Sequence, residues 1–376
     1  MPSGTSVLAQ SSRVLRIGMI PADGIGREVL PAAQRVMSAA PGAPQFEFLP
    51  LDAGFELFQR TGTALPQATI DTLKNGCDGA MFGSVSSPSH KVEGYSSPIV
   101  RLRKELGLYA NIRPVSGPPL PGAAVQKPID MVTIRENTEC LYIKDESLTD
   151  TPQGKVARAV RQISEAASSR IGRKAFEVAL ARKELRARAG NTTPNKVTIC
   201  HKSNVLSTTD GLFRTSVRAV YDADKKANGG AGRYEGIALD EQLVDSMVYR
   251  MYREPHVFDV IVAPNLYGDI ISDGAAALVG SLGLVASVNA GDQFIMGEPV
   301  HGSAPDIAGQ NKANPIAAIR SAALMLEYMG YSEPALAIYA AVDRVLAEGR
   351  ALTPDLPGGK STTSDVVEAV LRALEK

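Results

Sequence analysis

The sequence predicts an α/β protein with a large, mainly parallel sheet. Strand-like apolar runs alternate with amphipathic helix patterns along nearly the whole chain. Its 376 residues are enough for a large core and for two or three domains. Arg16–Ile20 reads as the first strand, followed by a glycine-rich turn and a helix over Arg27–Ala39. Gln45–Leu51 and Gly79–Phe82 read as strands with helical stretches between them. Met131–Arg135 and Lys196–His201 are strands flanking a long helix at about Lys155–Ala189. Ile237–Asp240 and Val257–Ala263 are further strands, and Ile316–Gly330 and Pro334–Glu348 are two late helices. There are no internal repeats. The Gly/Pro-rich stretch Ser116–Pro121 reads as a crossover between lobes, and polar Asn191–Asn195 as a surface loop.

Composition excludes several function classes. Lys+Arg and Asp+Glu both number 40, so no basic excess suits nucleic acid or an anionic membrane. No apolar run reaches the roughly 18 residues of a membrane helix. Cys77, Cys140 and Cys200 are odd in number and lack CxxC spacing, which argues against a disulfide framework or thiolate zinc site and fits small buried hydrophobes. The first sixteen residues hold no acid and carry Ser, Thr, Arg13 and Arg16. That fits the tail of a mitochondrial transit peptide, and almost as well an ordinary disordered N-terminus of a cytoplasmic protein.

Asp269 and Asp273 follow the strand Val257–Ala263 at i and i+4, which places both carboxylates on one helix face. Like charges there repel unless a cation sits between them, and oxygen-only ligands suit Mg²⁺ or Mn²⁺. An isolated DxxxD also reads as an acidic helix start. The opening turn, Asp23-Gly24-Ile25-Gly26, invites a dinucleotide-fold reading, and Glu47 lies near the distance expected of a ribose-binding acid. The third small residue of that fingerprint is missing, since position 29 is Val. A turn whose glycines let the backbone bend explains it equally.

Arg103 falls on a helix end, Arg113 just after a strand-like run, and Arg135 at the tip of an apolar strand. A guanidinium grips carboxylates two bonds at a time, so three of them suit a substrate with several carboxylates. Each alone also reads as a salt-bridge residue. Tyr142 follows the polar run Glu136–Glu139, and Lys202 follows the strand Lys196–Cys200, at the carboxyl end where α/β proteins bind ligands. Lys202 can serve as a base, or be structural. Asp245 is a third carboxylate. In Glu298–Gly309, followed by Lys312 and Asn314, small residues and a helix entry make a nucleotide-sized loop. Asp306 there could accept from a ribose hydroxyl and would repel a 2′-phosphate.

Together these segments resemble the metal-dependent β-decarboxylating hydroxyacid dehydrogenases, which include isocitrate, 3-isopropylmalate, homoisocitrate and tartrate dehydrogenases. The resemblance runs from about Arg16 to the C-terminus and is closest over Asn265–Gly283. It implies a two-lobed α/β fold that is not Rossmann, with residues 1–112 and 281–376 in a large cofactor-binding lobe. Residues 113–280 would form a small lobe with catalytic and dimer-interface elements. It implies NAD and Mg²⁺ or Mn²⁺ as cofactors, a small tricarboxylate-type 2-hydroxy acid as substrate, and a homodimer with shared active sites. By the same resemblance Arg103, Arg113 and Arg135 hold the malate-like part of the substrate. Asp269 and Asp273 are metal ligands, with Asp245 supplied by the neighbouring subunit. Tyr142 and Lys202 are the catalytic pair, Lys202 also reaching in from the neighbour. Asn204, His301, Gly302, Ser303, Ala304, Asp306, Ile307 and Asn314 match cofactor contacts, and Asp306-Ile307 resembles the NAD-preferring members. The implied chemistry is metal-assisted oxidation at C2, loss of CO₂, and protonation at C3 by Tyr142.

Substrate choice falls on Ser84–Val100. Ser97 matches the serine of isocitrate enzymes, but Ile99 stands where their asparagine would be. Val100 stands where some bacterial homoisocitrate enzymes have arginine. His90–Val100, Cys140 in place of the usual glycine, and the bulge at Lys183–Asn195 look most like the fungal homoisocitrate branch, which serves lysine biosynthesis. A non-catalytic regulatory subunit is the alternative of another class, and the retained Tyr142, Lys202, Asp245, Asp269 and Asp273 speak against it.

Overall fold

Leu15–Ala22 forms the first strand, β1, buried along almost its whole length. Helix α1 (Gly26–Ala39) follows, burying Val29, Leu30, Ala33, Val36 and Met37 at helical spacing. Strand β2 (Phe46–Pro50), helices α2 (Phe55–Thr61) and α3 (Gln67–Gly76), strand β3 (Gly79–Ser84) and helix α4 (Pro98–Glu105) come next. Pro98 opens α4 at the position where a missing N–H costs nothing.

The middle of the chain supplies β4 (Ala110–Ser116), β5 (Asp130–Glu136), and a hairpin of β6 (Glu146–Thr151) and β7 (Gly154–Ala159). It continues through α5 (Glu165–Arg188), β8 (Lys196–His201), α6 (Thr209–Ala227), β9 (Ala238–Leu243), α7 (Val244–Arg253), β10 (Val260–Ala263) and α8 (Asn265–Leu278). The last part adds β11 (Val288–Ala290), β12 (Ile295–Gly297), α9 (Ile316–Tyr328), α10 (Ser332–Glu348) and α11 (Thr363–Leu374). The Ala-rich α9 is buried along most of its length. Thr362 and Asp365 cap α11 reciprocally.

The computed structural model describes residues 14–88, 90, 92–118, 120, 129–188, 195–227 and 232–375. They fall into two compact units. The described residues of Met1–Gly107, Pro118–Ala124 and Gly280–Lys376 form the first, and those of Leu108–Gly117 and Val125–Val279 the second. Each unit is α/β with five main strands. In the first the order is β2-β1-β3-β12-β11, parallel except where β11 meets β12. In the second it is β4-β5-β10-β8-β9, parallel except where β4 meets β5. Among the described residues no helix is long and apolar enough to cross a membrane.

Several sequence expectations are corrected. The helix expected from Lys155 starts only at Glu165. Gly154, at φ 113°, turns a hairpin instead, and β7 occupies Gly154–Ala159. Arg113 lies within β4, not after it, so β4 belongs whole to the second unit and the chain changes unit at 107–108. The strand expected over Val257–Ala263 begins at Val260, because Pro255–Val257 makes one tight turn. The strand expected to end at Asp240 runs to Leu243, which brings Asp245 directly behind it. Cys140 and Cys200 are buried, but Cys77 only partly. Residues 1–13 of the leader reading, 119 and 121 of the crossover, 89 and 91 of the specificity segment, and 189–194 of the bulge and surface loop lie outside the described residues.

Candidate active site

In the second unit β5, β10, β8 and β9 run parallel, and the candidate catalytic residues gather at their carboxyl ends. Arg135 is the penultimate residue of β5 and pairs in register with Ala263, the last of β10. Its side chain is only 1% exposed. The helix that follows β10 accommodates it. Asn265 Oδ1 accepts from Arg135 Nε at 2.9 Å, and a Cβ on Gly268 would lie 2.7 Å from Arg135 Cβ and Cγ. Glycine at 268 is therefore a packing requirement: it lets α8 lie directly on the arginine. One Arg135 Nη donates to Asp269.

Asp269 is a hub. It also accepts from the Tyr142 hydroxyl, and Arg113 Nη2 lies 3.7 Å from its Oδ1. Arg113 Nη1 donates to Asp273 Oδ1 and to Ser272 Oγ, both at 2.8 Å. The i, i+4 pair thus faces two guanidiniums. Desolvation by the surrounding protein pushes the Asp273 carboxyl above its ordinary range, Arg113 pulls it down, and the Asp269 charge adds to the rise. Tyr142 sits on a one-turn helix at Leu141–Ile143, entered through Cys140 at φ 73°, ψ −145°. That backbone region is nearly glycine-only, which gives the physical reason for a glycine there and makes Cys140 a strained residue.

Lys202 and Asp245 form a separate pair. They leave the adjoining strands β8 and β9 at the register His201↔Leu243, and Lys202 Nζ lies 2.7 Å from Asp245 Oδ1. The hydrogen bond from Lys202 holds the Asp245 carboxyl below its ordinary value. Among the described residues no three His, Cys, Asp or Glu side chains converge as a metal site.

Sequence reasoning missed the supports of these groups. Asp210, fully buried in the first turn of α6, accepts from the Lys202 backbone N–H at 2.7 Å and lies 2.8 Å from the Arg161 guanidinium. Arg161 in turn lies over the Tyr267 ring at 4.4 Å, and burial raises the Tyr267 hydroxyl to about 12. An acid at a helix start eight residues past the lysine was the available signal. Asn265 and Ser272 carried none until α8 lay on β5.

In the first unit, Ser97 stands at the N-terminal boundary of α4, Ile99 is buried, Val100 is half-buried, and Arg103 lies in the last turn. Arg103 Nε donates to Asn289 Oδ1 at 3.2 Å and Nη2 to Glu298 Oε2 at 3.1 Å. The loop from His301 to Asn314 also belongs to this unit. Asp306 is exposed, Ile307 half-buried, Ser303 buried, and Ala304 has φ 37°. Asn314 is a helix-start anchor: its Oδ1 accepts from Ile316 N and its Nδ2 donates to Asp355, both at 3.0 Å. Asn204, in the second unit, is exposed in the turn after Lys202.

The sequence profile of isocitrate/isopropylmalate dehydrogenases matches residues 16–370. The chain belongs to the isocitrate/isopropylmalate dehydrogenase family. It is an enzyme of the β-decarboxylating type, in a family of NAD-dependent, divalent-metal-dependent dehydrogenases. It is 45% identical over 361 residues to the isocitrate/homoisocitrate dehydrogenase of Thermus thermophilus, covering 96% of this chain and 98% of that one. It is 44% identical over 362 residues to the 3-isopropylmalate/3-methylmalate dehydrogenase of Methanocaldococcus jannaschii, covering 96% and 99%. Among solved structures, the isocitrate dehydrogenase of Methylococcus capsulatus superposes with a TM-score of 0.83 at 35% identity, covering 96% of this chain and all of that one.

The residues fit the family's two cofactors. Asp269 and Asp273 offer only oxygen donors on one helix face, with side chains 32% and 59% exposed, which suits a hard divalent cation as two of its ligands. In this dehydrogenase's His301 loop, His301 Nε2 is buried without a hydrogen-bond partner among the described residues, and burial pushes the imidazole below its ordinary value. Among the described residues nothing lies within 4 Å of where a Gly302 Cβ would be. An exposed glycine lets a nucleotide approach the loop backbone closely.

Proposed function

We propose that the chain catalyses the NAD- and divalent-metal-dependent oxidative decarboxylation of homoisocitrate to 2-oxoadipate and CO₂, a step of lysine biosynthesis. The observation that carries the substrate choice is the start of α4. Ser97 stands at the boundary, Ile99 is buried, and Val100, one turn before Arg103, is half-buried and uncharged. The Thermus relative named for both isocitrate and homoisocitrate supports the reading.

When bound, the cation would polarise the C2 oxygen and the nicotinamide would accept hydride. The chain's residues do the rest. Arg103, Arg113 and Arg135 orient the substrate carboxylates, and Asp269 and Asp273, which Arg113 and Arg135 now hold, would be two ligands of the cation. Lys202 takes the C2 hydroxyl proton, and Tyr142, its hydroxyl held on Asp269, delivers a proton to C3 after CO₂ leaves. Tyr142→Phe should lower kcat by about 10²–10⁴-fold with KM within a few-fold. Stopped-flow NADH traces against steady-state turnover read this out, and full turnover in the variant would remove Tyr142 as proton donor.

A homodimer fits two features of the second unit. The β6–β7 ribbon is exposed on both faces, and an isolated two-stranded ribbon is marginal in water. Tyr249 and Tyr252 of α7 and Ile270 of α8 are exposed too.

Homoisocitrate exceeds isocitrate by one methylene, worth about 1–3 kcal/mol of discrimination. Steady-state assays with Mg²⁺ and NAD⁺ should therefore give a kcat/KM for homoisocitrate about 10-fold or more above isocitrate and 3-isopropylmalate. A preference for either rival would transfer the assignment to it. No NADH from the purified chain with any of the three would favour the regulatory-subunit alternative.

A further inference from the structure

The opening glycine turn is not explained by the chemistry above, and its surroundings assign it a task. Asp23 is fully buried. Its Oδ2 accepts from the backbone N–H of Phe55 at 2.8 Å and of Ser86 at 2.9 Å, and its Oδ1 from that of Glu56 at 3.0 Å. Its own N–H donates to Ser84 O, and its carbonyl accepts from Ser84 Oγ, both at 2.8 Å. One carboxylate thus fixes both the start of α2 and the start of Ser84–Val100, the segment that leads into α4.

That segment is held again further along. Tyr95 packs edge-on against Phe55 and Phe58 of α2, with ring centroids 4.9 and 5.3 Å apart, and its hydroxyl donates to Ser86 O at 3.3 Å. The third connection runs to the His301 loop. Ser86 Oγ lies 2.9 Å from Ser303 Oγ, and Ile25 N donates to Ser303 O at 2.9 Å. Gly24 has φ 55°, and a Cβ there would lie 2.0 Å from the Ser303 carbonyl oxygen. The glycine exists so that the Ser303 loop can touch the turn, a role the dinucleotide fingerprint does not describe. All these groups belong to the first unit.

We propose that Asp23 and Ser86 are positioning residues that join the substrate-recognition segment to the cofactor loop, so that hydroxyacid and nucleotide bind cooperatively through the Ser86–Ser303 contact. This rests on the proposed function, which gives the segment and the loop their ligands. Ordering either side through a shared hydrogen bond lowers the cost of ordering the other.

The test titrates NADH fluorescence in the full chain with Mg²⁺, with and without homoisocitrate, since NADH and the hydroxyacid form a complex that cannot react. The native chain should bind NADH about 5-fold or more tightly when homoisocitrate is present. Ser86→Ala should reduce that enhancement to less than about 2-fold, and Ser86→Thr, which keeps the hydroxyl, should restore it. Ser86→Ala/Ser303→Ala should lose no more coupling than Ser86→Ala alone. Asp23→Asn should lose it as well; if that variant does not fold, the serine variants decide. Full enhancement in Ser86→Ala overturns the proposal. A native chain that binds NADH but shows no enhancement overturns it while leaving the proposed function standing. A native chain that binds no NADH overturns both.

Discussion

Asp269→Asn should lower kcat by about 10³-fold at saturating Mg²⁺ and destabilise the metal-free protein by roughly 3 kcal/mol. The two losses have separate causes. Asp269 accepts the Tyr142 hydroxyl and offers an oxygen donor for the cation, so its amide compromises proton delivery and charge stabilisation together. The stability loss comes from Arg135, a guanidinium 1% exposed that loses the carboxylate bound to it. Removing one partner of a buried pair costs about 3–5 kcal/mol, and the 32% exposure of Asp269 argues for the lower end. Asp273→Asn is the comparison. Its carboxylate is 59% exposed and pairs with Arg113, so its stability cost should stay below about 1 kcal/mol while kcat still falls. Urea unfolding of the metal-free variants separates the two. Equal destabilisation by both would refute the hub role of Asp269.

The strands and the residues at their tips were legible in the sequence because each rests on a local pattern. Arg135, Lys202 and Asp245 each stand at or just past the carboxyl end of a strand, and an apolar run followed by a charge is readable without coordinates. The i, i+4 spacing placed Asp269 and Asp273 on one face of α8 as expected. What was not legible depends on contacts between distant segments. Asp210 was passed over because its partner is the backbone of Lys202, which leaves no side-chain pattern. Gly268 was read as part of a family motif, and its reason appears only when Arg135 is found beneath it. The Cys140 departure was visible, but that it occupies a positive-φ position was not. Strand β7 was misread as the start of a helix because it buries no apolar face, and alternation is the signal that strands ordinarily give. Asp23 was passed over because the glycines around it matched, incompletely, a better-known turn.

Mixing Lys202→Ala with Asp269→Ala subunits should restore activity that neither variant has alone. Within one chain the candidate residues fall into two sets that satisfy themselves separately: Arg113, Arg135 and Tyr142 on Asp269 and Asp273, and Lys202 on Asp245. Among the described residues one chain assembles no three-ligand metal site; Asp245 lies on α7, and Asp269 and Asp273 on the neighbouring α8. Asp245 is 65% exposed, while its partner Lys202 is 24% exposed. If sites are built from one set of each subunit, a hybrid dimer holds one site with both defects and one site with none. Random exchange at equal amounts makes about half of the dimers hybrid, so activity should recover to about a quarter of native. If each chain instead completes its own site, every site in every dimer keeps one defect and activity stays at the variants' level. Native mass spectrometry confirms the exchange independently of turnover, so exchange without recovery would rule out shared sites and leave Lys202 and Asp245 to act within their own chain.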